Sequence, residues 1–477
     1  MQNDSTLEDH FPQTSALETA NHLVRHLQVF LTPLLKDLDA QIDKRLVATF
    51  LNTIRAILEH RHRNGGLLLS ELGGFLLSPD QAPAGTKRIS NLLRCVKWTF
   101  ESIARFLWQE ADTRRKALTK EEETVLVVWD ESVNEKPESQ KAEGLGPVRS
   151  SKAKRLSRIK PGYYRPPGPP VFVPGLNWLC LLVMGTSGPP TVLGMEWWTT
   201  RKTEEGPEPQ SGRTLRSGWL SALAHAWGRT VLHVFDRGYA GAPWLGEMLR
   251  LNVRFVQRWP KGHSLVDAEG QQKKAWQISR GKAWQISRGK RSWEQRSVKD
   301  ARRNEERKIG VVAFPVTHPK QQPIGRKPAE LPEAPLWLVV ARSGITGQEP
   351  WYLLTNEPVE TAEDAWRVVM AYARRWQIEQ TFRYNKSELA MESPRLWTWE
   401  RRLKLLYMVT LAYAFLLSLL NPALELLRKW LLRHYCHRTG KRSQETPAPL
   451  YRLRSALSRL WQECSSPNYR FTAINSG

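Results

Sequence analysis

Hydrophobic positions in the first sixty residues recur every three to four places. Leu23, Leu27, Phe30, Leu31, Leu34 and Leu35 form one such set, and Leu46, Phe50, Leu51, Ile54, Ile57 and Leu58 form a second. That spacing predicts helix over residues 15–62. Gly65-Gly66 and Gly73-Gly74 interrupt it, and a further helical run starts at Thr86 and continues to about residue 118. From Thr124 the period changes. Thr124-Val-Leu-Val-Val-Trp-Asp130 is an uninterrupted apolar run ending in a carboxylate, the pattern of a strand buried on both faces. Leu176–Gly185 and Thr191–Thr199 predict a β-hairpin turning at Ser187-Gly-Pro-Pro190, and Thr214–Trp227 predicts a helix. Thr230-Val-Leu-His-Val-Phe-Asp236 repeats the apolar run with a terminal Asp. A helix over Ala242–Leu251 and a strand over Val253–Gln257 follow.

Residues 258–350 read as an insertion of mostly β character, with strands at Val311–Val316, Leu336–Ala341 and, at its exit, Trp351–Leu354. Lys274-Ala-Trp-Gln-Ile-Ser-Arg-Gly281 is repeated without change over 282–289, which fits a tandem duplication in a tolerant surface loop better than a solenoid. Thr361-x-x-Asp364 is a capping box that opens a helix over Glu363 to about Lys386. Leu405 to Leu420 carries no charge. It is shorter than the roughly 20 residues a membrane span needs and stops at Asn421-Pro422, so it predicts a buried core helix. Residues 423–470 predict basic helices suited to DNA contact or to self-association.

The order strand–Asp, hairpin, helix, strand–Asp, helix, strand describes a mixed α/β sheet. It divides the chain into an N-terminal helical unit (1–119), a first part of the sheet domain (120–257), the β-rich insertion (258–360), a second part (361–420) and a C-terminal basic helical region (421–477).

Charge sharpens this picture. Lys and Arg number 71 against 47 Asp and Glu, a net charge of +24. A chain so basic meets a polyanion, with nucleic acid the first candidate and a membrane surface the second. Pro147 to Arg165 is rich in Lys and Arg, lacks Asp and Glu, and suits the path of a nucleic-acid backbone. Lys87, Arg88 and Arg94 suit either DNA phosphates or a solvated helix face. The four Cys, at 95, 180, 436 and 464, form no CxxC pair, which points to a reduced, cytosolic protein without a disulfide framework. The acidic, polar N-terminus is no secretory signal.

Tyr372, Arg375, Glu379 and Lys386 fall within an arc of about 60° on a helical wheel. Alone, such a stripe is an ordinary solvated face holding an i,i+4 ion pair. Together with two strand-end Asp residues it becomes a set able to hold two Mg²⁺ ions beside a phosphate, because Mg²⁺ takes oxygen ligands and only a few carboxylates.

Tyr372-x2-Arg375-x3-Glu379-x6-Lys386 resembles the YREK signature of the DDE-type insertion-sequence transposases of the IS-four family. Trp351-Tyr-Leu-Leu-Thr-Asn-Glu-Pro-Val359, Asp236-Arg-Gly-Tyr and Arg254-Phe-Val-Gln-Arg258 resemble further motifs of that family, and Asp130-Glu-Ser resembles its first-Asp motif, where the family often has a Thr-rich version. The resemblance covers about residues 120–420. It implies a ribonuclease H-like fold interrupted by a β-rich insertion. It further implies a metal-binding catalytic triad of Asp130, Asp236 and Glu379 with Mg²⁺ as cofactor, Mn²⁺ being able to substitute. Tyr372, Arg375 and Lys386 would hold the DNA backbone, Trp351 would stack on a flipped base, and Arg258 would contact the distorted strand. The implied activity is cut-and-paste transposition through a DNA hairpin. The partners would be double-stranded transposon ends and target DNA, and a second copy of the chain in a synaptic dimer, within a prokaryotic cytoplasm. The alternative is a catalytically idle DNA-binding protein descended from such an enzyme. A membrane-associated basic protein would rest on Leu405–Leu420 alone.

Overall fold

The computed structural model describes residues 15–60, 66–139, 141–150, 171–202, 208–280, 294–300, 305–319, 331–343, 348–436 and 449–464. The second octapeptide copy and most of the basic 147–165 stretch lie outside these residues.

The N-terminal apolar periodicity becomes α1 (Ala16–Asp39) and α2 (Lys44–Glu59). Each starts where a polar side chain satisfies a free backbone N–H: Ser15 and Glu18 form a capping box on α1, and Asp43 caps α2. The paired glycines permit a close crossing of α3 (Leu69–Leu76) with α4 (Ala82–Arg94). A Cβ on Gly73 or Gly85 would land in the backbone of the facing helix. Helix α5 (Phe100–Lys120) then leads into the sheet.

The strands are β1 (Val125–Glu135), β2 (Gly146–Arg149), β3 (Phe172–Met184) and β4 (Thr191–Trp198), followed by α6 (Gly212–Trp227), β5 (Val231–Phe235), α7 (Ala242–Arg250) and β6 (Arg254–Arg258). Next come the small β7 (Ser264–Val266) and β8 (Gln272–Lys274), α8 (Ala275–Arg280), β9 (Glu294–Asp300), β10 (Glu305–Val316), β11 (Leu336–Ser343) and β12 (Trp351–Thr355). Helices α9 (Ala362–Ala373), α10 (Trp376–Ser387), α11 (Trp399–Ser418), α12 (Glu425–Tyr435) and α13 (Leu450–Glu463) complete the described chain.

The main sheet has ten strands in the order β2-β3-β1-β5-β6-β12-β11-β10-β9, with β4 also paired to β3. Its centre, β1-β5-β6, is parallel, and the flanking pairs are antiparallel. The insertion is β-rich as the sequence predicts, but β9–β11 do not stand apart. They extend the central sheet through β12, which pairs β6. Side chains of Thr355-Asn356-Glu357 knit that seam. Thr355 donates to the Phe255 carbonyl at 2.6 Å, Asn356 bonds the backbone of Val253 and Phe255, and Glu357 accepts Nε of the Arg254 fork at 2.9 Å.

Each face of the sheet buries its own core, because successive strand residues point to opposite sides. Leu126, Val128, Cys180 and Leu182 meet the N-terminal helices and α9–α13. Val125, Val127, Trp129 and Leu181 meet α6 and α7. Helix α11 is the predicted core helix and is buried along nearly its whole length. Among the described residues no single helix is long and apolar enough to cross a membrane. Only α11 taken together with the 422–435 helix passes on length and composition, and the two are bent by 77°.

Part of the basic surplus is architectural. Lys404 is fully buried, donates to the Cys95 carbonyl at 2.9 Å beyond the end of α4, and pairs with Glu400 at 2.6 Å. Arg402 donates to the carbonyls of Glu143, Leu396 and Trp397 at 2.8–2.9 Å. Arg454 of α13 donates to the carbonyls of Ile57 and Leu58 at 3.0 and 3.3 Å, and also reaches those of His60 and Glu388. Lys404 and Arg454 satisfy carbonyls at or just past helix ends, and Arg402 satisfies loop carbonyls.

Candidate active site

Two parallel neighbours set the site. In the β1–β5 register Trp129 lies opposite Phe235, so the next residues, Asp130 and Asp236, leave the parallel pair side by side. Strand β1 continues past Asp130 to Glu135 against β3, so Asp130 is a mid-strand residue, where the sequence suggested a strand end. Strict alternation puts Asp130 on the Leu126–Val128 face, toward α10, and Glu131 on the other. Glu131 there meets Arg216 Nε at 3.4 Å, and the Arg216 guanidinium lies 5.2 Å from the centre of the Tyr239 ring.

The helix expected over 363–386 is in fact two. Its capping box is present, with the Asp364 N–H bonded to Thr361 Oγ1 at 3.2 Å. At Arg374–Arg375 the i→i−4 bonds give way to tighter ones. The amides of Arg375, Gln377 and Ile378 donate to the carbonyls of Tyr372, Arg374 and Arg375 at 3.0–3.1 Å. Three residues per turn replace 3.6 here, which rotates the stripe out of its ideal arc.

That tightened turn places Arg375 at the centre of the cluster. Its Nη1 donates to Asp130 Oδ2 at 3.1 Å, its Nε stands 3.9 Å from Asp236 Oδ1, and its Nη2 donates to Glu379 Oε1. Tyr372 is buried, donates from its hydroxyl to Asp236 Oδ1 at 3.4 Å, and packs its ring edge-to-face on Trp351 with centroids 5.1 Å apart. Arg258, at the end of β6, faces Leu353 of β12, and its charge acts on the Tyr372 hydroxyl. Seven of the eight residues singled out from the sequence therefore converge. Lys386 does not join the carboxylates. It lies about 10 Å along α10 from Glu379, and its Nζ pairs with Glu392 at 3.6 Å.

The electrostatics follow the geometry. Burial raises Asp130 from 3.8 to about 7. The Asp236 and Glu379 charges push the same way, while Arg375 and the Glu131 amide pull down. Burial also raises the Tyr372 hydroxyl, against the pull of the Arg375 and Arg258 cations. Burial works against the charge on Arg375, but the surrounding groups outweigh it and hold its pKa above the ordinary value.

Among the described residues no three His, Cys, Asp or Glu side chains form a ready-made metal cluster. Three carboxylates that converge on one cation nevertheless offer the all-oxygen donors that Mg²⁺ prefers. The guanidinium stands where their charge is concentrated. Asp130, Asp236 and Glu379 thus have the donor chemistry that a divalent ion takes.

Residues 211–415 match the family model described as the transposase DDE domain, and this match supports a transposase that acts on DNA. The ten-stranded mixed sheet with its many helices is an α/β fold consistent with a ribonuclease H-like transposase domain. The matched segment contains Asp236, Arg258, Trp351, Tyr372, Arg375, Glu379 and Lys386. Asp130 lies outside it, and the sheet register brings it in. No curated protein matches the chain. Sequence reasoning missed the central position of Arg375 among all three carboxylates, and the partnership of Glu131 with Arg216. The alternation of β1 was the available signal for the second. The first depends on the break between α9 and α10, which the helical pattern does not announce.

Proposed function

We propose that the chain is a cut-and-paste DNA transposase that cleaves phosphodiester bonds and transfers strands, with Asp130, Asp236 and Glu379 as its metal-binding catalytic triad. The observation that carries this reading is the convergence of these three carboxylates, drawn from β1, the end of β5 and α10, on one guanidinium. Divalent ions held by the triad, Mg²⁺ or Mn²⁺, supply charge stabilisation for the attacking and leaving oxygens.

The chain's own residues do the rest. Arg375 and Tyr372 lie beside the carboxylates, where they orient the scissile phosphate. Trp351, packed edge-to-face with Tyr372, offers its ring to a base turned out of the duplex, and Arg258 steadies the strand so distorted. Lys386 holds the backbone further along α10. Water attack nicks the element's end, the freed 3′-OH attacks the opposite strand to give a hairpin, and after reopening the same 3′-OH attacks target DNA. Residues 1–119 serve as an N-terminal DNA-binding unit, residues 120–257 and 361–420 as the catalytic domain around the 258–360 insertion, and residues 421–477 as a basic helical region. The working form is a homodimer on paired ends, at the nucleoid of a prokaryotic cytoplasm.

The test is cleavage of duplexes carrying the ends of the encoding element, with Mg²⁺, by the intact chain and by Glu379→Ala. A hairpinned product that disappears in the variant supports the proposal. Binding by the intact chain without cleavage favours the idle DNA-binding descendant. Cleavage that persists in the variant places the active site elsewhere.

A further inference from the structure

We propose that Arg375 is the internal cation of the carboxylate cluster and competes with the divalent metal for it, so that capture of a DNA phosphate by Arg375 and entry of the metal are coupled. This rests on the reading of Asp130, Asp236 and Glu379 as the metal-binding triad.

The geometry points to competition. A single guanidinium meets Asp130 at 3.1 Å and Asp236 at 3.9 Å and bonds directly to Glu379. It thereby engages lone pairs that an ion bound at about 2.1 Å requires. Its own charge also repels a dication at a separation where Coulomb forces are strong. The carboxylates are more open to solvent than the cation that they surround. The Arg375 side chain is only 11% exposed, whereas those of Asp236 and Glu379 are 35% and 36% exposed. An ion can therefore approach from solvent, but the cation must leave for it to be fully bound.

Arg375 sits on the turn between α9 and α10, where i→i−3 bonds replace the regular ladder, so a rotation of its side chain would leave both helices intact. A phosphate is the natural acceptor to draw it out, because a guanidinium fork matches two phosphate oxygens as well as it matches a carboxylate. Three carboxylates around one guanidinium leave the cluster with excess negative charge once that phosphate has taken Arg375. A divalent ion then has an open, compensating place. By linkage, metal tightens DNA binding by the factor with which DNA tightens metal binding.

The experiment measures Mn²⁺ binding to the full chain from the electron paramagnetic resonance signal of free Mn²⁺, with thermal melting to confirm folding. Arg375→Gln is expected to bind Mn²⁺ about tenfold tighter than the unaltered chain. Arg375→Lys retains a charge but cannot bridge three carboxylates, and should fall between them. In parallel, Mn²⁺ is expected to tighten binding of a fluorescein-labelled mixed-sequence duplex several-fold for the unaltered chain but not for Asp130→Asn. Equal Mn²⁺ affinity in all three Arg375 forms, with binding lost in Asp130→Asn, overturns the competition and leaves the triad standing. A duplex affinity indifferent to Mn²⁺ overturns the coupling. Tight Mn²⁺ binding that survives Asp130→Asn in the Arg375→Gln background removes the triad reading itself.

Discussion

Arg375 Nη1 lies 3.1 Å from Asp130 Oδ2, although the two residues are 245 positions apart in the chain. The contact holds a half-buried carboxyl against a cation on a different layer of the fold. It is one of only a few attractions offsetting the burial of Asp130 and the neighbouring Asp236 and Glu379 charges.

Asp130 therefore links stability to pH. Its pKa is raised to about 7 in the folded chain from an ordinary 3.8. Between these values the folded chain retains a proton that the unfolded chain releases. Stability from this group is thus present below about pH 4, falls as pH rises through the window, and is lost above about 7. Asp130→Asn removes the dependence. Relative to the unaltered chain, its melting temperature should rise between pH 4.5 and pH 8, by a change worth at most about 3 kcal/mol. Parallel melting curves of the two proteins across that range would refute the assignment.

Arg454 should be a large stability determinant although it lies far from the site. It is 2% exposed and donates to carbonyls at the end of α2 and just beyond α10. Arg454→Met fills the space but leaves those carbonyls unpaired, and should cost about 2–4 kcal/mol. Urea denaturation measures it. A loss below about 0.5 kcal/mol would show that water replaces the guanidinium at no penalty.

Gly85→Ala should destabilise the N-terminal helices even though alanine favours helix. A methyl group at this position collides with Gly73 backbone on α3, which cannot step aside as a flexible side chain can. We expect a loss of about 1–3 kcal/mol in denaturant melts. Gly218→Ala on α6 is the control, because its Cβ meets nothing within 4 Å, and it should be neutral or slightly stabilising.

Thr361→Ala removes the Oγ1 that caps the Asp364 amide at 3.2 Å and frays the start of α9. The expected cost is about 1 kcal/mol. Because Tyr372 and Arg375 lie at the far end of that helix, Mn²⁺ affinity should change less than twofold. A larger change would mean that the cap positions the site as well as the helix.

The sequence alone determined the elements whose burial is one-dimensional in character. Strands β1 and β5 are legible as apolar runs because both their faces are covered. Helix α9 is legible from its capping box, because a cap is a local bond, and the larger part of α11 from the uncharged run that begins at Leu405. The tertiary structure decided what depends on distant pairing. The parallel register of Trp129 with Phe235 sets Asp130 beside Asp236, and no local pattern encodes which strands will be neighbours. The joining of β9–β11 to the central sheet was likewise hidden, because β12 finds β6 only across the whole insertion. The turn at Arg374–Arg375 swings Arg375 among three carboxylates while Lys386 pairs with Glu392. A helical wheel places all four stripe residues together because it assumes an unbroken period of 3.6 and shows no rise along the axis; the turn breaks the period before Glu379, and Lys386 lies about two turns beyond it.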